Sequence, residues 1–357
     1  MGLPSIDIAF KSTAAAAIGR SQKGTVGIIL EDTAGTGAHQ LTSVTQIPTT
    51  WGTVNQQYVK QAFEGYICPP KKVVVYVIDT GNASESLTQA LNYMAKQSID
   101  YLVGMPDLES SEAATIASWV GTQRSNYHSV VKAVLPNTAS DKEWIVNFTT
   151  AGIKTKDATY AAAGYCARIA GLLAGTPMTI SVTFAALPEV SDITRLTAAG
   201  MDTAIDAGEL ILMHDGSKVK VARGVNSLTT TTQDKGAQFK KIKIVEAMDM
   251  IGHDIRVTAQ DSYIGKYANS YDNKLLLISA IKGYLLSLEN EGILEGGSSE
   301  VSIDVDAQNA YLTGIGVDTS ELSEQQIKEY NTADKVFLKA SIKILDTIED
   351  ITLNIAI

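Results

Sequence analysis

Val26-Gly27-Ile28-Ile29-Leu30 and Val73-Val74-Val75-Tyr76-Val77-Ile78 are short, β-branched runs that stay apolar on both faces. A strand apolar at every position is one covered on both sides, as in a parallel sheet carrying helices on each face. The second run leads into residues 84–96, where Leu87, Leu91 and Met94 recur at helical spacing. Residues 101–106 then predict a strand, and 110–124 a helix with Ser110 or Ser111 as N-cap. Residues 130–135 predict another strand, and 160–174 an Ala-rich helix. The order β, α, β, α, β, α argues for an α/β domain.

Farther along the chain the pattern is less regular. Residues 194–207 predict a helix stopped near Gly208. Ile211-Leu212-Met213-His214 and Val219-Lys220-Val221 flank Asp215-Gly216, a dipeptide suited to a tight type I′ hairpin turn. Residues 241–259 stack Ile244, Met248, Ile251 and Ile255 on one helical face, and 273–289 stack Leu277, Ile281, Leu285 and Leu288. Gly292 is expected to end the second of these helices, and Gly296-Gly297-Ser298-Ser299 to form a flexible break before a final β-rich stretch.

A length of 357 residues sets a prior of two domains. Hydrophobic residues at 45% and charged residues at 19% exclude a mainly disordered chain. A net charge of -10 argues against non-specific nucleic-acid binding. Two cysteines, Cys68 and Cys166, are too few for a disulfide scaffold or a Cys-rich metal site. The longest apolar run, residues 161–174, is short for a membrane span and carries Arg168. Met1-Gly2-Leu3-Pro4-Ser5-Ile6 lacks the features of a signal peptide and departs from the myristoylation pattern at Ile6. The expectation is a soluble intracellular chain.

Catalytic motifs fail one by one. Val77-Ile78-Asp79-Thr80-Gly81 presents an aspartate at a strand end, as a subtilisin-type triad does. None of His39, His128, His214 and His253 stands in a His-Gly-Thr context, and Gly175-Thr176-Pro177-Met178 has proline where a nucleophilic serine belongs. Asp79 is therefore read as a turn or cap residue. Gly35-Thr36-Gly37 lacks the third glycine of a dinucleotide loop. Asp304-Val305-Asp306 begins like a calcium loop, but Asn309 and Ile315 occupy the positions that need glycine and glutamate. The expectation is a chain without catalytic residues, metal or cofactor.

The two ends are the most unusual feature. Ile6, Ile8 and Phe10 alternate with polar or small residues, and Leu3 precedes them. Ile351, Leu353, Ile355 and Ile357 alternate in the same way at the other end. The plain reading is a pair of edge strands in the chain's own sheet. The sharper one is strands that complete a sheet in another molecule. Burying four such side chains contributes ~6–12 kcal/mol, while ordering seven residues costs ~7–14 kcal/mol. A single arm is thus marginal, and several locked together in an assembly are not. Charge is segregated as well. Lys218, Lys220, Arg223, Lys235, Lys240, Lys241 and Lys243 crowd one stretch, and ten acids fall between residues 291 and 334. The plain reading of each is a solvated face; the other is complementary patches that set register between subunits.

Several segments together resemble the contractile tail sheath proteins of bacteriophages and phage-tail-like bacteriocins. Arg223-Gly224-Val225-Asn226-Ser227-Leu228 is similar to the family's Arg-Gly-x-Asn-Ser/Thr-Leu segment. Lys241 through Tyr263-Ile264-Gly265-Lys266 and Asn269 to Gly292-Ile293-Leu294 resembles its paired helices, and Asn331-Thr332 through Glu349 its C-terminal stretch. Ala162-Ala163-Gly164 to Ala174 resembles its Ala-Gly helix.

The resemblance implies an α/β, subtilisin-like but non-catalytic domain plus a C-terminal α+β domain. Terminal strand arms would be exchanged between subunits. Its segments would be an arm at 1–22, domains at 23–188 and 189–345, and an arm at 346–357. It further implies a structural subunit of a virion or a related contractile injection system, assembled in the bacterial host cytoplasm. Hexameric rings of the chain would stack helically around an inner tail tube, between a baseplate and a tail terminator, with no nucleic-acid partner and no direct membrane insertion. Contraction would drive the tube through a cell envelope. The donated strands would be Leu3, Ile6, Ile8, Phe10, Ile351, Leu353, Ile355 and Ile357, received by a sheet containing Ile303, Val336, Leu338, Ile342 and Ile344. Residues 11–20 and 346–350 would be flexible connectors. Glu321, Glu324, Lys328 and Glu329, on an expected helix over 320–330, would face the tube. Lys218, Lys220, Arg223, Lys240, Lys241 and Lys243 would form an inter-subunit charge patch. The competing readings are an oligomeric, non-catalytic α/β protein of another purpose and a degenerate hydrolase.

Overall fold

Alternation along the first two strands distributes their side chains to opposite faces of one sheet. Val26, Ile28, Leu30, Val73, Val75 and Val77 join one buried cluster; Ile29, Val74 and Ile78 join another. The computed structural model describes residues 17–18, 23–82 and 85–356. Contacts divide these into two compact units, an α/β unit of residues 23–250 with 346–356 and a C-terminal unit of residues 251–345. Leu3, Ile6, Ile8, Phe10 and Ile357 lie outside the described residues.

In chain order the α/β unit runs β1 (Thr25–Asp32), β2 (Gly37–Leu41), α1 (Thr53–Phe63), β3 (Lys72–Asp79), α2 (Leu87–Met94), β4 (Tyr101–Val103) and α3 (Ser110–Tyr127). It continues through β5 (Lys132–Pro136), β6 (Ile145–Phe148), β7 (Ile153–Thr155), β8 (Thr159–Tyr160), α4 (Cys166–Ala174), β9 (Val190–Asp192) and α5 (Ala198–Asp206). Last come β10 (Glu209–Leu210), β11 (Leu212–His214), β12 (Val219–Val221) and the start of α6 (Ile242–Thr258). The main sheet has the order β10-β6-β5-β4-β1-β3-β2. Its pairings are parallel except at the β2 edge, which runs antiparallel to β3.

Helices cover both faces, as the two-sided apolar runs require. Tyr58, Val59 and Ala62 of α1 and Ile169, Leu172 and Leu173 of α4 fill one side. Ala90, Leu91 and Met94 of α2 and Ala113, Ile116 and Val120 of α3 fill the other. The Ala-Gly composition of α4 has a steric cause: a Cβ on Gly171 would sit 2.0 Å from the Ala62 carbonyl oxygen of α1. Only glycine permits the two helices to approach so closely.

Several local expectations shift. The helix expected over 160–174 begins at Cys166, because Tyr160 is drawn into the β7–β8 pairing. Helix α3 is capped by Glu109, whose backbone N–H donates to the Glu112 carboxylate at 3.0 Å, not by Ser110 or Ser111. Helix α5 starts at Ala198 behind Thr197, whose hydroxyl accepts from the Gly200 N–H. The Asp215-Gly216 hairpin exists, but His214 pairs with Val219 across a four-residue loop. There the Asp215 carboxylate accepts from both the Ser217 and Lys218 N–H groups and the Asp215 N–H donates to the Lys218 carbonyl at 3.1 Å, so the hairpin closes around Gly216-Ser217 and not around Asp215-Gly216. The segment boundary expected at 188/189 falls inside the α/β unit, where Val190, Leu210, Leu212, Val219, Val221 and Ile242 share the core of Val26 and Val73.

The C-terminal unit holds the end of α6, then α7 (Tyr271–Asn290), β13 (Glu300–Ile303), α8 (Val305–Gly314), α9 (Glu324–Glu329) and β14 (Leu338–Ser341). Its buried Lys274 donates to the Thr332 hydroxyl at 3.2 Å, and Asn269 donates to the same hydroxyl and to the carbonyls of Ala333 and Lys335. Burial lowers the Lys274 pKa. The Gly296-Gly297 stretch is a held turn and not a flexible break: the Glu289 carboxylate accepts from the N–H groups of Gly297 and Ser299. Among the described residues no helix is long and apolar enough to cross a membrane.

Candidate functional site

The Arg223–Leu228 segment and the start of α6 are zipped together by their backbones. Ile242 N–H donates to the Gly224 carbonyl at 3.1 Å, and Asn226 N–H to that of Lys240 at 2.9 Å. The fully buried Asn226 side chain donates to the Phe239 carbonyl and accepts from the Leu228 N–H. Gly224 is where a third strand of chain presses in. A Cβ there would meet the Ser181 hydroxyl and Val182 at 3.0 Å, and the Gly224 N–H donates to the Thr183 hydroxyl at 3.0 Å. The result sets Arg223 and Lys241 beside the hydroxyls of Ser181 and Thr183.

Into this corner comes Glu349. Thr183 donates to Glu349 Oε1 at 2.6 Å and Ser181 at 3.2 Å. Arg223 Nε and Lys241 Nζ each reach Glu349 Oε2 at 3.1 Å. Arg223 also pairs with Asp350, and Lys241 with Asp346. The Glu349 side chain is only 6% exposed. Burial alone would raise its pKa, but hydrogen bonds from Thr183, Lys241 and Arg223 together hold it below the usual glutamate value. The hydrogen bond to Asp350 leads in raising the Arg223 pKa.

Beyond this clasp the chain changes character. Residues 351–356 carry no helix or strand, and Ile351, Leu353 and Ile355 are 81%, 75% and 76% exposed. Exposed apolar stripes of this kind in general mark interaction surfaces.

In the C-terminal unit the expected acceptor strands pair antiparallel. Glu300 lies opposite Ser341, and Ile303 opposite Leu338. Val301 and Ile303 are buried, Leu338, Ile342 and Ile344 half-buried, and Val336, Lys339, Ala340 and Ser341 exposed. Among the described residues this sheet has two strands, lengthened by Glu295 N–H donating to Lys343 and Leu345 N–H to Ile293. In general, the outer edges of a two-stranded ribbon present unpaired main-chain groups.

The acidic segment is helical only over Glu324–Glu329, capped by Ser323. Glu321, Glu324 and Glu329 are exposed, and Lys328 is half-buried and paired with Glu324 at 2.6 Å. Buried Ile327 and a hydrogen bond from Gln308 of α8 to its carbonyl hold the helix down.

Of the six bases expected in one patch, Arg223 and Lys241 are engaged by the chain's own acids. Lys220 pairs with Asp215 and lies 5.7 Å from the Phe184 ring centroid, Lys243 is buried, and Lys240 is half-buried, leaving Lys218 exposed. Asp79 accepts from the Gly81 N–H at 2.8 Å, closing a turn. Sequence reasoning missed Ser181, Thr183 and Glu349 as one site. The available signal was an acidic pair, Glu349-Asp350, directly before the apolar arm.

Comparison with known proteins gives one consistent answer. The model described as phage tail sheath protein central domain matches residues 80–227, and that of the phage tail sheath C-terminal domain matches 234–357. The chain is 36% identical to the tail sheath protein of Clostridium phage phiCD119, with 99% of each covered. Its fold is similar to the sheath tail protein of Desulfitobacterium hafniense (TM-score 0.69, 17% identity, 84% of this chain and 94% of that one). It is also similar to the anti-feeding prophage helical sheath in its contracted state (TM-score 0.72, 13% identity, 100% and 99% covered).

Proposed function

The chain belongs to the phage tail sheath protein family, and from that premise we propose how it works as a sheath subunit. Copies of it stack as hexameric rings into a helical tube around an inner tail tube, between a baseplate and a tail terminator. Neighbours are joined by exchanged strands. The arm of residues 351–357 adds to the β13–β14 ribbon of one neighbouring copy, and residues 3–10 add to that of another. The working segments are the arms at 1–22 and 346–357, with the chain between them forming the bodies. The α/β unit is subtilisin-like in form and non-catalytic.

The exposed Ile351, Leu353 and Ile355 stripe carries this reading most strongly. A heterologous contact that does not close propagates as a filament. Main-chain pairing between donated strand and ribbon survives rotation of the bodies, so the tube can shorten without coming apart. The exposed acids Glu321, Glu324 and Glu329 suit a face turned toward the inner tube.

Electron microscopy of the purified protein tests the function directly. Hollow, striated cylinders are the expected result, and discrete particles alone contradict it. Reversing Glu321, Glu324 and Glu329 to lysine should leave cylinders intact but lose co-assembly with the tube protein; unchanged co-assembly rejects the tube-facing assignment.

A further inference from the structure

Residues 346–350 read from sequence as a flexible connector, yet the structure gives them a built receiving site. A carboxylate with a 6% exposed side chain, Glu349, takes two hydroxyls and two cations from three separate stretches of chain. Its neighbours Asp346 and Asp350 double the contacts to Lys241 and Arg223. A hydrogen bond to an ionised group is stronger than a neutral one, and four converge here. Residues 23–25 are held close by. Lys23 Nζ donates to Glu246 Oε2 at 2.7 Å and to the Leu173 carbonyl at 3.1 Å, with Glu246 itself buried. The N–H groups of Gly24 and Thr25 each donate to Asp100 at 2.8 Å. Lys241 directly precedes α6 and Glu246 lies in its second turn. The two anchoring residues are thus about 7.5 Å apart along the helix axis at ~1.5 Å per residue.

We propose that the start of α6, which also holds Lys23, is the root of the C-terminal arm, with residues 346–350 clasped as a fixed anchor and the arm free to pivot only from Ile351 onward. The inference rests on the reading of residues 351–357 as an arm, and it relocates the hinge of that arm. A fixed root matters mechanically. A strand seated in a neighbour then pulls on the α/β unit through an ionic anchor, so rotation of the body is transmitted to the neighbour without being absorbed by slack chain.

Nitroxide labels on the full-length monomer test it. In a Cys68→Ser background, Ile348→Cys and Ile355→Cys place labels at two exposed positions on either side of the proposed pivot. The label at 348 should tumble severalfold more slowly than that at 355. Arg223→Ala with Lys241→Ala should abolish the difference, and Glu349→Gln should reduce it, with near-ultraviolet circular dichroism unchanged. Equal mobility at 348 and 355 in the parent, or a slow 348 label that survives both the double variant and Glu349→Gln, overturns the anchor. Cylinders are scored separately in the same preparations. A mobile 348 label in protein that forms cylinders rejects the anchor and leaves the sheath reading standing. A restrained 348 label in protein that forms none supports the anchor and counts against that reading.

Discussion

Residues 346–350 and 351–356 are consecutive, yet physics treats them oppositely. The first five residues supply three carboxylates to Arg223 and Lys241. The next six present Ile351, Leu353 and Ile355 to water at three-quarters exposure or more. Charged groups found their partners within the chain; the apolar stripe did not. On the proposed reading, the contact that this exposed alternating stripe lacks is made with another molecule. On that reading, the join between the two segments is where folding ends and assembly begins.

Truncation after Asp350 breaks the comparison most severely. It should leave the thermal midpoint unchanged, because residues 351–356 contribute little packing within the chain, while cylinders vanish in micrographs. Cylinders formed at the normal yield reject the donated arm. The next effect is smaller and falls on the other segment. Arg223→Ala with Lys241→Ala removes both cations from a buried carboxylate, at about 1.5–3 kcal/mol per hydrogen bond to a charged group. Partial exposure of both cations trims that cost. Calorimetry should detect a modest loss of stability, together with shorter or fewer cylinders. Thr183→Val removes two hydrogen bonds, one to the Glu349 carboxylate and one from the Gly224 N–H; it should cost about 2 kcal/mol, less than the double variant, and leave Arg223 and Lys241 pairing intact.

Acid gives the smallest change. The folded Glu349 pKa is depressed, so its stabilising contribution is complete above the unfolded value and is lost only as pH falls through the folded value. Between pH 7 and 5 the Ile348 label should not respond, and loosening should set in only below the ordinary glutamate range. A transition near pH 6 contradicts the clasp.

Much of the α/β unit was legible because its strands carry the signal themselves. The two-sided apolar runs of β1 and β3 announced a covered parallel sheet, and helical spacing in residues 87–94 announced α2. Less legible was whatever depended on distant partners. Edge strand β2 is too polar to read as a strand; its Gly37–Leu41 stretch pairs only because β3 offers an antiparallel edge. The true start of α4 depends on β8 claiming Tyr160. In the candidate site, the bases were visible as a charge run, but their use was not. Glu349 is more than a hundred residues from Arg223 and Lys241, and the acidic pair Glu349-Asp350 was the one local sign that 346–350 is an anchor and not a linker. Ser181 and Thr183 gave no signal either, since a hydroxyl acquires a role only from the carboxylate brought to it.

Amide hydrogen exchange on residues 351–356, measured for dilute monomer and for assembled cylinders, addresses the outward donation of this arm most directly. In the monomer these amides should exchange at nearly the rate of an unstructured peptide, and in cylinders their exchange should slow by orders of magnitude as the strand joins a neighbour's ribbon. Protection already complete in the monomer, or none gained in the cylinder, contradicts the account.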